Sequence, residues 1–286
     1  MDRTDDGGGR RHIWLCADDY GISNAVNAAI RELIMRGRIN ATSVMVAAPG
    51  FDRADAVSLN VLNAGIRRVA IGLHVTLTAP FKPLSPGFYP LREGMFLSPR
   101  ATHAVALLRQ FRHEPLAIEI ASQLHAFVTA FGRLPDFLDG HEHVHLLPQI
   151  RDAVLEVVRE ITGDIWVRQC GGGSLLCRFE SLNQLRLELL SRAMRKRARA
   201  AGVRTNPAFA GTYNFAPDTD LANLFPRFLG ALPEGGLVMC HPGFVDAELK
   251  RLDRLTTVRE KEYAYFKSEQ FERALTASGV TLAKAS

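Results

Sequence analysis

Three histidines stand at alternate positions in Asp139-Gly140-His141-Glu142-His143-Val144-His145, directly after the apolar pair Phe137-Leu138. In an extended chain, alternate side chains share a face, so the three imidazoles would project together. A bend after Gly140 would instead divide them between a site and the groups that support it. Imidazoles and a carboxylate this close are costly to keep unless they bind something or form a hydrogen-bonded network. Other polar residues arrive at equivalent places. Asp18-Asp19 follows the apolar run 13–17, His74 follows 69–73, and His241 follows 237–240. A carboxylate and two imidazoles suit one divalent ion, with positions left for water and substrate, and Asp19, His74 and His141 form the preferred trio. Asp18 would then stay free as a base, while His241 could donate a proton to a leaving amine. Adjacent carboxylates raise one another's proton affinity, and a cation lowers it.

A scaffold must bring these groups together. The apolar runs 13–17, 41–48, 69–73, 165–168 and 237–240 read as short strands, the first covered on both faces. Between them lie helical patterns. Val26, Ala29, Ile30 and Leu33 recur at helical spacing behind a cap at Ser23 or Asn24, with Gly37 as the stop. Further helices are expected over 51–64, 104–112, 116–131, 148–161, 181–202, 218–232 and 257–277. This strand–polar tip–helix order predicts a single α/β layer architecture, and in such barrels chemistry gathers where the strands end. The stretch 80–99, rich in Pro and Gly, reads as a long loop that serves as a binding wall or lid.

The bulk composition excludes more than it selects. The 286 residues are 47% hydrophobic and 23% charged, with a formal charge of +5, which suits a soluble folded protein with a mild basic bias. Arg192, Arg195, Lys196, Arg197 and Arg199 stand without an acidic neighbour and read as a solvated face, with an anionic partner such as a membrane surface as the alternative. The run lacks aromatic platforms, and Trp14 and Trp166 fall in strand candidates, so no nucleic-acid partner is expected. Gly171-Gly172-Gly173 lacks the Lys-Ser/Thr of a phosphate cradle. The four cysteines match no zinc pattern and are too few for a disulfide scaffold, and Cys16 and Cys240 are expected to be buried thiols. No leader or membrane span is visible. Residues 1–11 are expected to form a flexible tail before one domain over 12–284, in a cytoplasmic protein.

Four motifs in order resemble the YdjC-like carbohydrate deacetylases, most closely the chitooligosaccharide (diacetylchitobiose) deacetylases. They are Ala17-Asp18-Asp19-Tyr20-Gly21-Ile22-Ser23, the stretch 71–78 around His74, 139–145 with Leu147-Pro148, and Cys240-His241-Pro242. The resemblance implies a deformed (β/α) TIM-like barrel similar to polysaccharide deacetylases. It implies removal of an N-acetyl group from an amino sugar or chitooligosaccharide, with release of acetate. Asp19, His74 and His141 match the ligands of one divalent ion, Mg²⁺ or Zn²⁺. Asp18 matches the base that activates water, and His241 the general acid. His143, His145, Asp139 and Arg168 are left to support those groups or to face the sugar. A homodimer is implied as well. Glu142 and Tyr20 depart from the usual histidine and phenylalanine, which bears on the substrate more than on the reaction. Two alternatives stand beside this reading: a deacetylase of a hopanoid or envelope glycolipid, and a sugar-binding relative without catalysis.

Overall fold

The computed structural model describes residues 10–64, 69–161, 163–172 and 182–284. The expected tail up to residue 9, Gly173 and Cys177 lie outside them. The sheet is built from β1 (Arg11–Tyr20), β2 (Ala41–Val44), β3 (Ala70–Val75), β4 (Phe137–Gly140), β5 (Trp166–Val167), β6 (Phe209–Ala210), β7 (Leu237–Cys240) and β8 (Val280–Leu282). Every pairing between them is parallel, in the order β5-β4-β3-β2-β1-β7-β6, with β8 added beside the start of β1. The sheet curls until its ends meet. Val167 N–H donates to the Arg204 carbonyl at 2.9 Å, and Phe209 N–H to the Gly171 carbonyl at 3.0 Å, across the seam between β5 and β6. The result is the α/β deformed barrel that the strand–helix rhythm implied.

The helices are α1 (Asn24–Met35), α2 (Arg53–Asn63), α3 (Pro99–Leu107), α4 (His113–Phe131), α5 (Ile150–Arg159), α6 (Leu182–Ala201), α7 (Leu221–Ala231), α8 (Ala247–Leu252), α9 (Thr257–Lys267) and α10 (Glu269–Ala277). Local chemistry sets their ends. Ser23 caps α1 by accepting from Val26 N–H, and Gly132 closes α4 in the left-handed region at φ 70°. Three expectations need correction. The helix placed at 104–112 begins earlier, because Ser98 caps it and Pro99 occupies its first turn. The single helix expected over 257–277 is two, interrupted where extended Ser268 caps α10. The strand expected over 41–48 stops at Val44, after which Met45 N–H turns to the Tyr20 carbonyl.

The loop 80–99 is packed down onto the barrel. Phe81, Phe88 and Phe96 are buried in the core, and the buried Glu119 of α4 accepts from Leu84 N–H, Ser85 N–H and Ser85 Oγ. One packing feature ties the sheet to the chemistry. A methyl group at Gly72 on β3 would fall on the Phe137 ring, which is stacked on Trp166 with centroids 4.6 Å apart and lies beneath the Arg168 guanidinium. Gly72→Ala should therefore cost about 1–3 kcal/mol of overpacking strain. Urea unfolding reads this directly, and a variant as stable as the parent would mean that the ring moves freely.

Candidate metal centre

Asp18 and Asp19 are neighbours, so in a regular strand they would face opposite sides of the sheet. They do not. β1 slips register against β2 between Ala17 and Tyr20, and Asp19 sits at φ 67°. A bulge of this kind re-aims a side chain at a strand end, so both carboxylates turn into the C-terminal mouth of the barrel. β3 and β4 then pair His74 with Asp139 in register.

After β4 the chain bends, which realises the second of the two readings of the histidine run. Residues His141–Leu146 form a 3₁₀ turn, with Glu142 and His143 both at φ 55°. The three imidazoles therefore do not share a face. His141 Nδ1 lies 2.9 Å from Asp19 Oδ1, while His145 is fully buried with Nε2 3.0 Å from the Arg168 carbonyl. His143 stands against Phe209 and 3.6 Å from Cys170 Sγ, and burial pulls it down to about 3, so it is neutral.

His74 joins the two carboxylate clusters. Its Nδ1 is 2.6 Å from Asp139 Oδ1 and 3.0 Å from Ser43 Oγ, and its Nε2 faces Asp19 Oδ1 at 3.3 Å. Burial lowers its proton affinity, but Asp139, Asp19 and Asp18 outweigh this and push it up to about 10. The donor atoms of Asp19, His74 and His141 lie within 4.8 Å of one another. This set fits a divalent ion: one carboxylate, two imidazoles, and a carboxylate behind His74 that holds Nδ1–H, so that Nε2 is the atom left to an ion once its proton departs.

Each aspartate has its own buried arginine. Arg168, just past β5, donates to Asp18 through Nη1 at 2.6 Å and through Nη2 at 2.7 Å, and pairs with Asp139 at 2.5 Å. Burial pushes Asp18 up, yet Arg168 holds it well below the usual carboxylate range. Arg259 on α9 does the same for Asp19, with Nη2 2.5 Å from Asp19 Oδ2 and 2.5 Å from Asp253 Oδ2. The expectation of mutual like-charge elevation is thus corrected, because two guanidinium groups reverse it. Cys16, Asp18 and Asp139 also lie close together. The Arg168 guanidinium sits among them, 3.0 Å from Cys16 Sγ, so the cluster holds a cation already.

His241, at the end of β7, is placed across the mouth by Phe215, with ring centroids 5.4 Å apart, and by its own N–H donating to Glu262. Burial pulls it below the ordinary histidine value, and its Nδ1 has no hydrogen-bond partner among the described residues. Burial pushes Glu262 up to about 7 despite donors from His241 N–H and Tyr213 Oη, the latter at 2.6 Å. Sequence reading did not find Arg259, Glu262 or Ser43. It did name Asp18, Asp19, His74, Asp139, His141 and Arg168, which lie together. A cavity of about 640 Å³ at the opposite end of the barrel, lined by Trp14, Asp136, Trp166 and Arg204 among others, contains none of these groups.

Fold and geometry define a class: a deformed α/β barrel with a carboxylate–imidazole cluster at the C-terminal ends of its strands. The chain belongs to the YdjC-like protein family, whose model matches residues 12–277. It is 30% identical to a chitooligosaccharide deacetylase of Escherichia fergusonii over 70% of this chain and 82% of that protein. It is likewise 30% identical to a chitooligosaccharide deacetylase of Proteus mirabilis over 82% of each chain. Among solved structures, a proposed cellobiose-phosphate cleavage protein of Enterococcus faecalis superposes with a TM-score of 0.75 at 22% identity. That match covers 96% of this chain and 98% of the other, and it establishes the shared fold. No helix among the described residues is long and apolar enough to cross a membrane.

Proposed function

We propose that the protein is a metal-dependent carbohydrate deacetylase that hydrolyses the N-acetyl group of an amino sugar or chitooligosaccharide and releases acetate. One observation carries the reading: a three-donor cluster, Asp19, His74 and His141, stands beside a separate carboxylate, Asp18, that Arg168 keeps ionised. The names of the curated relatives support the same chemistry. Asp19, His74 and His141 would hold the ion, Mg²⁺ or Zn²⁺. When bound, it supplies Lewis acidity, polarising the amide carbonyl and acidifying water. Asp18 accepts the proton of the attacking water. Arg168 grips both oxygens of that carboxylate, which fixes its direction. His241 passes a proton to the departing amine, and Glu262 anchors its backbone.

The test is acetate release from N,N′-diacetylchitobiose by metal-stripped protein refilled with Mg²⁺ or with Zn²⁺. Release restored by metal supports the reading. Metal uptake with no release from any acetylated amino sugar would leave a binding protein in its place. A pH effect follows from the same geometry. His74 carries a proton below about pH 10, and that proton must leave before Nε2 can act as a donor. Apparent metal affinity should therefore fall by about tenfold per unit as the pH is lowered through neutrality. Competition with a chromophoric chelator measures this, and a flat profile would mean that the aspartates do not hold a proton on His74.

A further inference from the structure

Helix α6 turns Glu188, Ser191, Met194 and Ala198 inward. Its opposite face is unusual for a solvated helix. Leu182, Leu185 and Leu189 stand there at spacings of three and four, exposed by 84%, 37% and 55%. Lys196 and Arg197 continue that face toward the C terminus, with Arg186 at its edge, all exposed. Lys196 and Arg197 have no ion pair among the described residues. The one acid of the helix, Glu188, is turned to the inner side, where it pairs with Arg192 at 3.1 Å and with Arg195 at 3.0 Å. That corrects the reading of this run as a face without an acidic neighbour, and it sharpens the outer face into leucines followed by uncompensated cations. Between α5 and α6, a groove of about 430 Å³ is lined by Arg151, Ala193, Lys196, Arg197 and Ala200.

The helix also has a fixed place relative to the mouth. Its inner side holds the loop after β5, through Arg195 Nη1 to Gln169 Oε1 at 2.8 Å and Gly172 N–H to Glu188 at 3.0 Å. The helix also packs against the turn His141–Leu146 that carries His141. The helix therefore lies beside the loops that form the mouth.

We propose that the outer face of α6 is a docking surface for an anionic phospholipid bilayer. Leu182, Leu185 and Leu189 enter the acyl boundary, and Arg186, Lys196 and Arg197 meet lipid phosphates, as in helices that lie in the membrane plane. Charge gives no ground for a second copy of this chain, because the same face would bring only leucines and cations and no carboxylate to pair them. Docking does not depend on the deacetylase reading. Together, the two place the mouth where an acetamido sugar carried on a lipid anchor would reach it.

Sedimentation of the full chain with vesicles tests the surface. Binding is expected to phosphatidylcholine vesicles containing phosphatidylglycerol, to be weak with pure phosphatidylcholine, and to fall with added salt. The pair Lys196→Glu/Arg197→Glu should lower partitioning by about 25-fold or more, at about fivefold per cation lost. The pair Leu185→Glu/Leu189→Glu should lower it by about tenfold or more. Circular dichroism melts should be unchanged in both. Should either pair disturb folding, Lys196→Gln/Arg197→Gln and Leu185→Ser/Leu189→Ser take their place. Wild-type protein left in the supernatant with anionic vesicles would overturn the proposal. So would variants that sediment like wild type, or a solution dimer that the leucine pair dissociates while vesicle binding stays absent.

Discussion

Asp18→Asn is expected to lower acetate release by about 10²- to 10⁴-fold, the usual contribution of a positioned general base. The side chain keeps its shape and its place at the β1 bulge, and Asp19, His74 and His141 are untouched, so metal uptake should persist. The amide can accept from one Arg168 N–H, but its NH₂ meets the other guanidinium nitrogen, donor against donor. A stability loss of about 1–3 kcal/mol should accompany the change. Activity must therefore be referred to folded, metal-loaded protein. Asp18→Asn within about tenfold of wild type would remove Asp18 as the base.

The second large effect belongs to Arg168, whose side chain is fully buried between Asp18 and Asp139. Arg168→Ala strands two carboxylates in the barrel and should cost about 3–5 kcal/mol of stability, along with activity. Its pH dependence separates this cause from simple cavity formation. In the wild type, Arg168 holds Asp18 below its unfolded value, so that contribution is present above the unfolded carboxylate pKa and lost as the pH falls. Without the arginine, burial pushes the same carboxyl upward, and the folded state then takes up protons that the unfolded state does not. The stability gap between wild type and Arg168→Ala should therefore narrow on acidification from about pH 7 to about pH 4. Urea unfolding at both pH values reads it, and a constant gap would mean that lost packing, not stranded charge, dominates.

What the sequence made legible is what local pattern encodes. Short apolar runs ending in Asp, His or His-Pro marked β1, β3 and β7 and placed the polar groups at one end of the barrel. The bulge at Asp19 was not legible, because nothing in Ala-Asp-Asp-Tyr says that neighbouring side chains will turn to one side. Arg259 and Glu262 were missed for a different reason. They stand in Thr257–Lys267 among Glu260 and Lys261, which are exposed, whereas Arg259 and Glu262 are fully buried. A charged helical stretch reads as a solvated face, and only the packing of α9 over the β7 tip selects two of its charges for burial. Tyr20 shows the limit for the family motif as well. Its hydroxyl accepts from Arg31 at 2.8 Å and donates to the Asp55 carbonyl at 3.2 Å, so the departure from phenylalanine is absorbed outside the mouth.

The seam of the barrel gives the site an uneven grip. β1, which carries both aspartates, is paired along its length with β2, β7 and β8, whereas Arg168 follows a strand of two residues at the sheet's edge. Amide hydrogen exchange should grade these differently: Cys16 and Ala17 would exchange only when the whole molecule unfolds, and Val167 and Phe209 by local opening of the seam. Each such opening lets go of the arginine before the acid it restrains. On this expectation the strand slowest to exchange carries Asp18, and one of the fastest leads into the residue that aims it.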